Sequence, residues 1–361
     1  MKPFDEVYKE MLDVVNQYTN QFKRKKSAWG LHNSKLKQKG SIDMTRIYSY
    51  KTSDNIFQKK ILQPKEKSHG LVILIDNSAS MQNCIFSVVQ RATELAIFAR
   101  RNNINLECYT FTTGSSYMRS DTDISSLKNL KLINLYNKNL SEKDIRNVFK
   151  EYYTYVYASK DLEDDVKRSM DKNWSMGSTP LLEGYLGIVE RAKLMLTKGI
   201  QHVNVCVLTD GGATSTLTYN GKQVTSFLDP FTQNVYNVDE DINRLEHQQL
   251  DMLNRMLVDS NITTTHIHIT DTITFYDHIL EGGDVQSYQA KLDNDYMCII
   301  KEKLLHFDKI FLIQESGVNT KDMKIDDSKP ISKQFEDYGK NNRVKQLLAS
   351  NLIDALCQYY I

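Results

Sequence analysis

The chain has 361 residues, 40% of them hydrophobic and 25% charged, which suits one large domain with insertions or two domains. A formal net charge of +1 gives no bulk electrostatic case for nucleic acid or a membrane surface as partner. No apolar run reaches the roughly 18 residues of a spanning helix, and the N-terminal stretch MKPFDEVYKEMLDVV lacks the apolar core and cleavage site of a secretory signal.

In chain order, residues 4–22 have a helical rhythm, with Phe4, Val7, Met11, Val14, Val15 and Tyr18 near one face. A basic run follows, Lys23 to Lys26, and residues 27–69 read as an irregular arm containing GSIDMTRIYSYK. Leu71 to Ile75 is an unbroken apolar run, the pattern of a strand buried on both faces. A helix is expected over Ile85 to Ala99, then a strand over Ile104 to Thr112. Residues 114–178 read as a long insertion, helical around Asp144 to Tyr157. Pro180 opens a helix to about Lys198, since proline is tolerated at a first helical position. Val203 to Leu208 is a second buried strand. Asn220-Gly221 signals a two-residue hairpin. Glu240 to Asp259 reads as helix, Ile262 to Thr270 and Lys309 to Gln314 as strands, and Val344 to Tyr360 as an amphipathic helix.

Alternating strand and helix predict an α/β fold: an open, mostly parallel sheet with helices on both faces. The expected divisions are an N-terminal helix and arm (1–69), a domain over 70–320 with insertions at 114–178 and 213–238, and a C-terminal linker and helix (321–361). Five scattered cysteines (Cys84, Cys108, Cys206, Cys298, Cys357) form no CxxC and read as reduced thiols of a cytoplasmic protein.

Ligands of such sheets bind beyond the carboxyl ends of the strands. Three pieces converge there: Asp76-Asn77-Ser78-Ala79-Ser80, a D-x-S-x-S; Gly177-Ser178-Thr179-Pro180; and Leu208-Thr209-Asp210-Gly211-Gly212. A small hard cation takes about six oxygens and keeps some of its water. The hydroxyls of Ser78, Ser80 and Thr179 are neutral ligands that leave the ion its positive charge, while Asp76 and Asp210 can act through water. One position stays open for a carboxylate from outside. Each piece also has a plainer explanation: Asp76 as a strand end, Ser78, Ser80 and Thr179 as helix caps, Asp210-Gly211 as a turn. Their order along the chain, each after the correct element, favours Mg²⁺ or another divalent cation such as Mn²⁺.

This pattern resembles the metal-ion-dependent adhesion site of von Willebrand factor A-type domains. The segments GSIDMTRIYSY, LVILIDNSASM, INLECYTFTT and HITDTITFY further resemble the von Willebrand-type subunit of aerobic cobaltochelatase and its shorter relatives in tailed phages. The chain departs from that subunit in lacking a long acidic region and in its 114–178 insertion. The resemblance implies a Rossmann-like fold and a metal set of Asp76, Ser78, Ser80, Thr179 and Asp210. It also implies a protein partner, a ring-forming AAA+ ATPase of the MoxR type or that ATPase's substrate, met in the cytoplasm (the host's, for a phage-encoded chain). The chain has no G-x-x-x-x-G-K-[ST] and no G-x-S-x-G, so neither ATP hydrolysis nor a serine-hydrolase triad of its own is expected. Three functions compete: a metal-dependent adaptor, a chelatase-like enzyme subunit, and a virion structural or adhesive protein.

Weaker signals remain. His266 and His268 alternate on a strand and so share a face, either as a metal pair or in packing. Lys23 to Lys26, Lys35, Lys37 and Lys39 make the arm basic, with Trp29 between them; phosphates, an acidic partner surface or plain solvation would each suit it. Tyr152, Tyr153, Tyr155 and Tyr157 crowd one stretch, for partner contact or for packing. The 114–178 insertion and the Asn220-Gly221 hairpin both follow strand ends and are expected to border the metal site.

Overall fold

The computed structural model describes residues 4–32, 35–52, 57–62, 68–112, 124–125, 131–161, 179, 181–210, 218–219, 222–223, 226–228, 233–237, 261–272, 280, 282–295, 297–300 and 307–314. In chain order the elements are α1 (Phe4–His32), β1 (Lys35–Ile42), β2 (Phe57–Leu62), β3 (His69–Asp76), α2 (Ile85–Arg101), β4 (Asn105–Thr112), β5 (Ile124–Ser125), β6 (Lys131–Tyr136), α3 (Glu142–Asp161), α4 (Leu181–Thr197), β7 (His202–Thr209), β8 (Thr218–Tyr219), β9 (Lys222–Gln223), β10 (Ser226–Leu228), β11 (Val235–Asn237), β12 (Ile262–Ile269), α5 (Gly282–Asp295), β13 (Met297–Ile300) and β14 (Lys309–Ile313).

The apolar runs become the centre of a seven-stranded sheet, ordered β13-β14-β12-β7-β3-β4-β6. Its inner five strands are parallel, and the edge strands β6 and β13 are antiparallel to their neighbours. The fold is the open, mostly parallel α/β sheet expected from the sequence. Every residue of β3 is buried, because helices cover both faces. On one face Ile73, Ile75, Leu208 and Ile267 pack with α1, α2 and α3. On the other, Val72, Leu74, Val205 and Val207 pack with α4 and α5.

Two segments enter the domain more deeply than the sequence alone suggests. The N-terminal helix continues through Lys23–Lys26 to His32 and buries Phe4, Met11, Val15 and Phe22 in the shared core. Its Phe22 ring meets Phe98 of α2 edge-on at 5.5 Å. Within the 114–178 excursion, β6 forms the sheet edge beside β4, and α3 buries Ile145, Phe149, Tyr152 and Val156 against the same core. Full burial of such side chains stabilises by about 1.5–3 kcal/mol each. Tyr152 and Tyr153 are therefore packing residues; the side chain of Tyr157 lies outside the described residues.

The arm after α1 is ordered as an antiparallel ribbon, β1 with β2, separate from the main sheet. β8 and β9 pair Tyr219 with Lys222; Asn220 and Gly221, where the turn is expected, lie outside the described residues. The helices expected over 240–259 and 344–360 lie outside the described residues. The four described cysteines are buried thiols outside any disulfide, and burial pushes the Cys206 thiol up to about 12. No described helix is long and apolar enough to cross a membrane.

Candidate metal centre

Strand β3 pairs with β4 on one side and β7 on the other. The chain leaves β3 through α2 on one face and enters β7 from α4 on the opposite face. A crevice opens between the carboxyl ends of β3 and β7 wherever connections diverge in this way. Asp76 ends β3 and Thr209 ends β7, so this crevice holds the sequence-predicted residues.

Four of the five are joined by contacts. The Asp76 carboxylate accepts the Ser78 backbone N–H on Oδ1 at 2.9 Å and the Thr209 hydroxyl on Oδ2 at 2.7 Å. It thus ties the D-x-S-x-S loop to the next strand. The Ser78 and Ser80 hydroxyl oxygens lie 2.9 Å apart, and the Ser80 hydroxyl donates to Asp210 Oδ1 at 2.9 Å. Asp76 and Ser78 are buried and Ser80 is exposed, so the cluster is closed on one side and open on the other. The helix-cap explanation of the serines is not realised: neither the short 3-10 turn Ser80–Asn83 nor α2 has a side-chain cap bond at its N-cap.

Thr179 reaches the same edge by a different route. A Cβ placed on Gly70, at the start of β3, would lie 2.9 Å from Met195 Sδ near the end of α4. One placed on Gly184, near the start of α4, would lie 3.1 Å from the Phe111 ring and 3.3 Å from Leu74. Helix α4 therefore runs antiparallel to β3, with its first turn toward the carboxyl edge. Leu74 to Asp76 rises about 7 Å along the strand, and a comparable length of chain leads from Gly184 back to Thr179. Thr179 is buried and its carbonyl accepts the Leu181 N–H at 2.8 Å. Among the described residues no hydrogen bond joins its side chain to the other four.

The electrostatics follow from burial. Desolvation, with the like charge of Asp210 beside it, raises the Asp76 carboxyl from 3.8 to about 7, against the opposing hydrogen bonds of Thr209 and Ser78. Among the described residues, the groups that act on Asp76 are Thr209, Asp210 and Ser78. The donor set fits a small divalent ion on two grounds. The ion would offset the desolvation and the like charge of Asp210 that raise this buried carboxyl. Neighbouring ligands around an octahedral ion with bonds of 2.0–2.1 Å stand about 3 Å apart, close to the 2.9 Å between the Ser78 and Ser80 hydroxyl oxygens. No group of three or more His, Cys, Asp or Glu able to hold a metal occurs among the described residues; an ion here would be held largely by hydroxyls.

Three neighbours of the site are not assigned to it by the sequence reading. Thr209 locks the Asp76 carboxylate, and the only sequence hint is a β-branched hydroxyl residue at the end of a buried strand. The Tyr152 hydroxyl donates to Asn77 Oδ1 at 3.0 Å, so α3 buttresses the loop from 75 residues away, and no local pattern signals it. His268 stands beside Thr209 in the register of β12 and β7, and a hydrogen bond involves its ring and the backbone of Asp210. Burial nevertheless lowers His268 to about 4 and His266 well below its ordinary value. The two rings stack 5.7 Å apart, neutral members of the packed strand face.

The two excursions expected at the rim meet each other. β5, after β4, pairs in parallel with β10, after β7, and β10 pairs with β11. Both excursions leave the main sheet at the carboxyl edge that holds Asp76 and Asp210.

Sheet order, crossovers and switch-point crevice together define a doubly wound α/β protein. No family model matches the chain, and no curated protein matches it. Similar solved structures include proximal thread matrix protein 1 from the mussel byssus, at 13% identity over 57% of this chain and 39% of that one, TM-score 0.30. The pilus adhesin SpaC from Lactobacillus rhamnosus GG, in its open conformation, is 11% identical over 79% of this chain and 30% of that one, TM-score 0.34. The human COPII-coat protein Sec24c is 8% identical over 56% of this chain and 26% of that one, TM-score 0.25. The chain thus spans well under half of each of these proteins, and likenesses at these TM-scores assign it no family.

Proposed function

We propose that this chain is a metal-dependent protein-binding module of the von Willebrand factor A type. A divalent cation, Mg²⁺ or Mn²⁺, is held by Ser78, Ser80 and Thr179, with Asp76 and Asp210 acting through water. When bound, the ion supplies a positive centre for a carboxylate on a partner protein. The chain's own residues do the rest: Asp76 and Thr209 fix the loop that carries the serines, and Tyr152 supports that loop through Asn77. The resemblance to the cobaltochelatase subunit suggests a MoxR-type AAA+ ATPase or its substrate as the partner, in the cytoplasm. The observation that carries the reading is the continuous Ser78–Ser80–Asp210 hydroxyl and carboxylate array at the switch point.

Calorimetric titration of the full chain with Mg²⁺ is expected to show one site. The Ser78→Ala, Ser80→Ala double variant is expected to lose it while keeping the wild-type circular dichroism spectrum. Equal Mg²⁺ binding by the folded double variant would refute the proposal.

A further inference from the structure

The β1–β2 ribbon is not absorbed by the metal-site reading. Residues 35–62 carry seven basic side chains (Lys35, Lys37, Lys39, Arg46, Lys51, Lys59, Lys60) and two acidic ones (Asp43, Asp54), a net charge of +5. The whole chain carries +1, so the remainder sums to −4. Near-neutral bulk charge thus hides a segregated basic arm. The backbone pairing brings basic positions of the two strands into one register, with Lys37 the partner of Lys60 and Gln38 the partner of Lys59.

The connection between the strands is built by its own hydrogen bonds. Asp43 Oδ1 accepts the Thr45 N–H at 3.0 Å and the Thr45 hydroxyl at 2.6 Å. The Arg46 N–H donates to the Asp43 carbonyl at 2.8 Å, and the Ser49, Tyr50 and Thr52 N–H groups close successive turns behind it. The Thr45 hydroxyl and N–H bonds hold the Asp43 carboxyl below its ordinary value. The ordered tip nevertheless presents large side chains to water: Met44 is 73% exposed, Tyr48 83% and Tyr50 60%. The Lys51 ammonium stands 5.7 Å from the Tyr50 ring centroid, so positive charge and aromatic faces alternate.

We propose that this arm binds single-stranded nucleic acid, with the ribbon lysines along the phosphates and Tyr48 and Tyr50 stacked on unpaired bases. Charge complementarity selects a polyanion. Lysine is depleted at protein–protein interfaces, whereas a basic track with exposed rings is the recurring design of sequence-tolerant single-strand binders. The rings present faces that paired bases, already stacked, have no need of. Binding by the arm is independent of the metal-site reading.

The test is fluorescence anisotropy of the full chain with a labelled mixed-sequence DNA strand of about 20 nucleotides, which exceeds common site sizes. If about five phosphates are neutralised, affinity falls on the order of 100-fold between 50 and 200 mM salt. The Tyr48→Ala, Tyr50→Ala variant is expected to bind about tenfold or more weakly, and Lys37→Gln, Lys60→Gln to flatten the salt dependence. Both should keep the wild-type melting profile, and EDTA should change nothing, which separates this result from any failure of the metal site. The proposal is overturned by absence of binding at 50 mM salt, or by full affinity in the folded tyrosine variant. Tighter binding of the matching duplex overturns it too, as does equal binding of polyglutamate, which would mark a surface for acidic proteins.

Discussion

Burial of Asp76 leads to a stability prediction with a definite sign. Raising this carboxyl from 3.8 to about 7 costs the metal-free fold on the order of 4 kcal/mol once the group is ionised, at about 1.4 kcal/mol for each tenfold change. Between those two values the folded state holds the proton that the unfolded state has released. Stability in EDTA therefore falls as pH rises from about 4 to about 7, with the full cost present above that window. Asp76→Asn keeps the shape and the acceptor for the Ser78 amide but cannot ionise. Chemical denaturation in EDTA at pH 8 should find this variant more stable than wild type by up to a few kcal/mol, with the difference shrinking toward pH 5. Mg²⁺ should then close most of that gap at pH 8, since an ion at 100 times its dissociation constant adds about 2.7 kcal/mol to the form that binds it. Parallel pH profiles for the two proteins in EDTA would refute the reasoning, because the ionisation cost would then lie elsewhere.

Tyr152→Phe removes the hydroxyl that donates to Asn77 Oδ1 and should destabilise by about 1–2 kcal/mol in urea titration, with weaker Mg²⁺ binding because the loop loses its buttress. Gly184→Ala places a methyl 3.1 Å from the Phe111 ring and 3.3 Å from Leu74; overpacking of about 1–3 kcal/mol should appear as a lowered melting temperature. Arg101→Ala, which removes a partly exposed pair with Glu142, should cost no more than about 1 kcal/mol, and calorimetric melting would register any larger loss.

The sequence by itself determined the α/β class and the central strands, because strands covered on both faces must be apolar throughout: Leu71 to Ile75 and Val203 to Leu208 could be little else. It also placed the Asp76, Ser78 and Ser80 loop and Asp210 at strand ends, since D-x-S-x-S and T-D-G follow the buried runs directly. Only the tertiary structure decided which strands are neighbours. The order β12-β7-β3-β4 sets Thr209 beside Asp76, and the resulting shared burial raises that carboxyl. The sequence also left the parts of the long excursion undecided. β6 and α3 became core because a sheet edge and an amphipathic helix find their partners only in three dimensions, and Tyr152 reaches Asn77 for that reason. The basic arm was legible as composition, but its directly opposed Lys37 and Lys60 were not, because a cross-strand register is a property of the pairing and not of either strand alone.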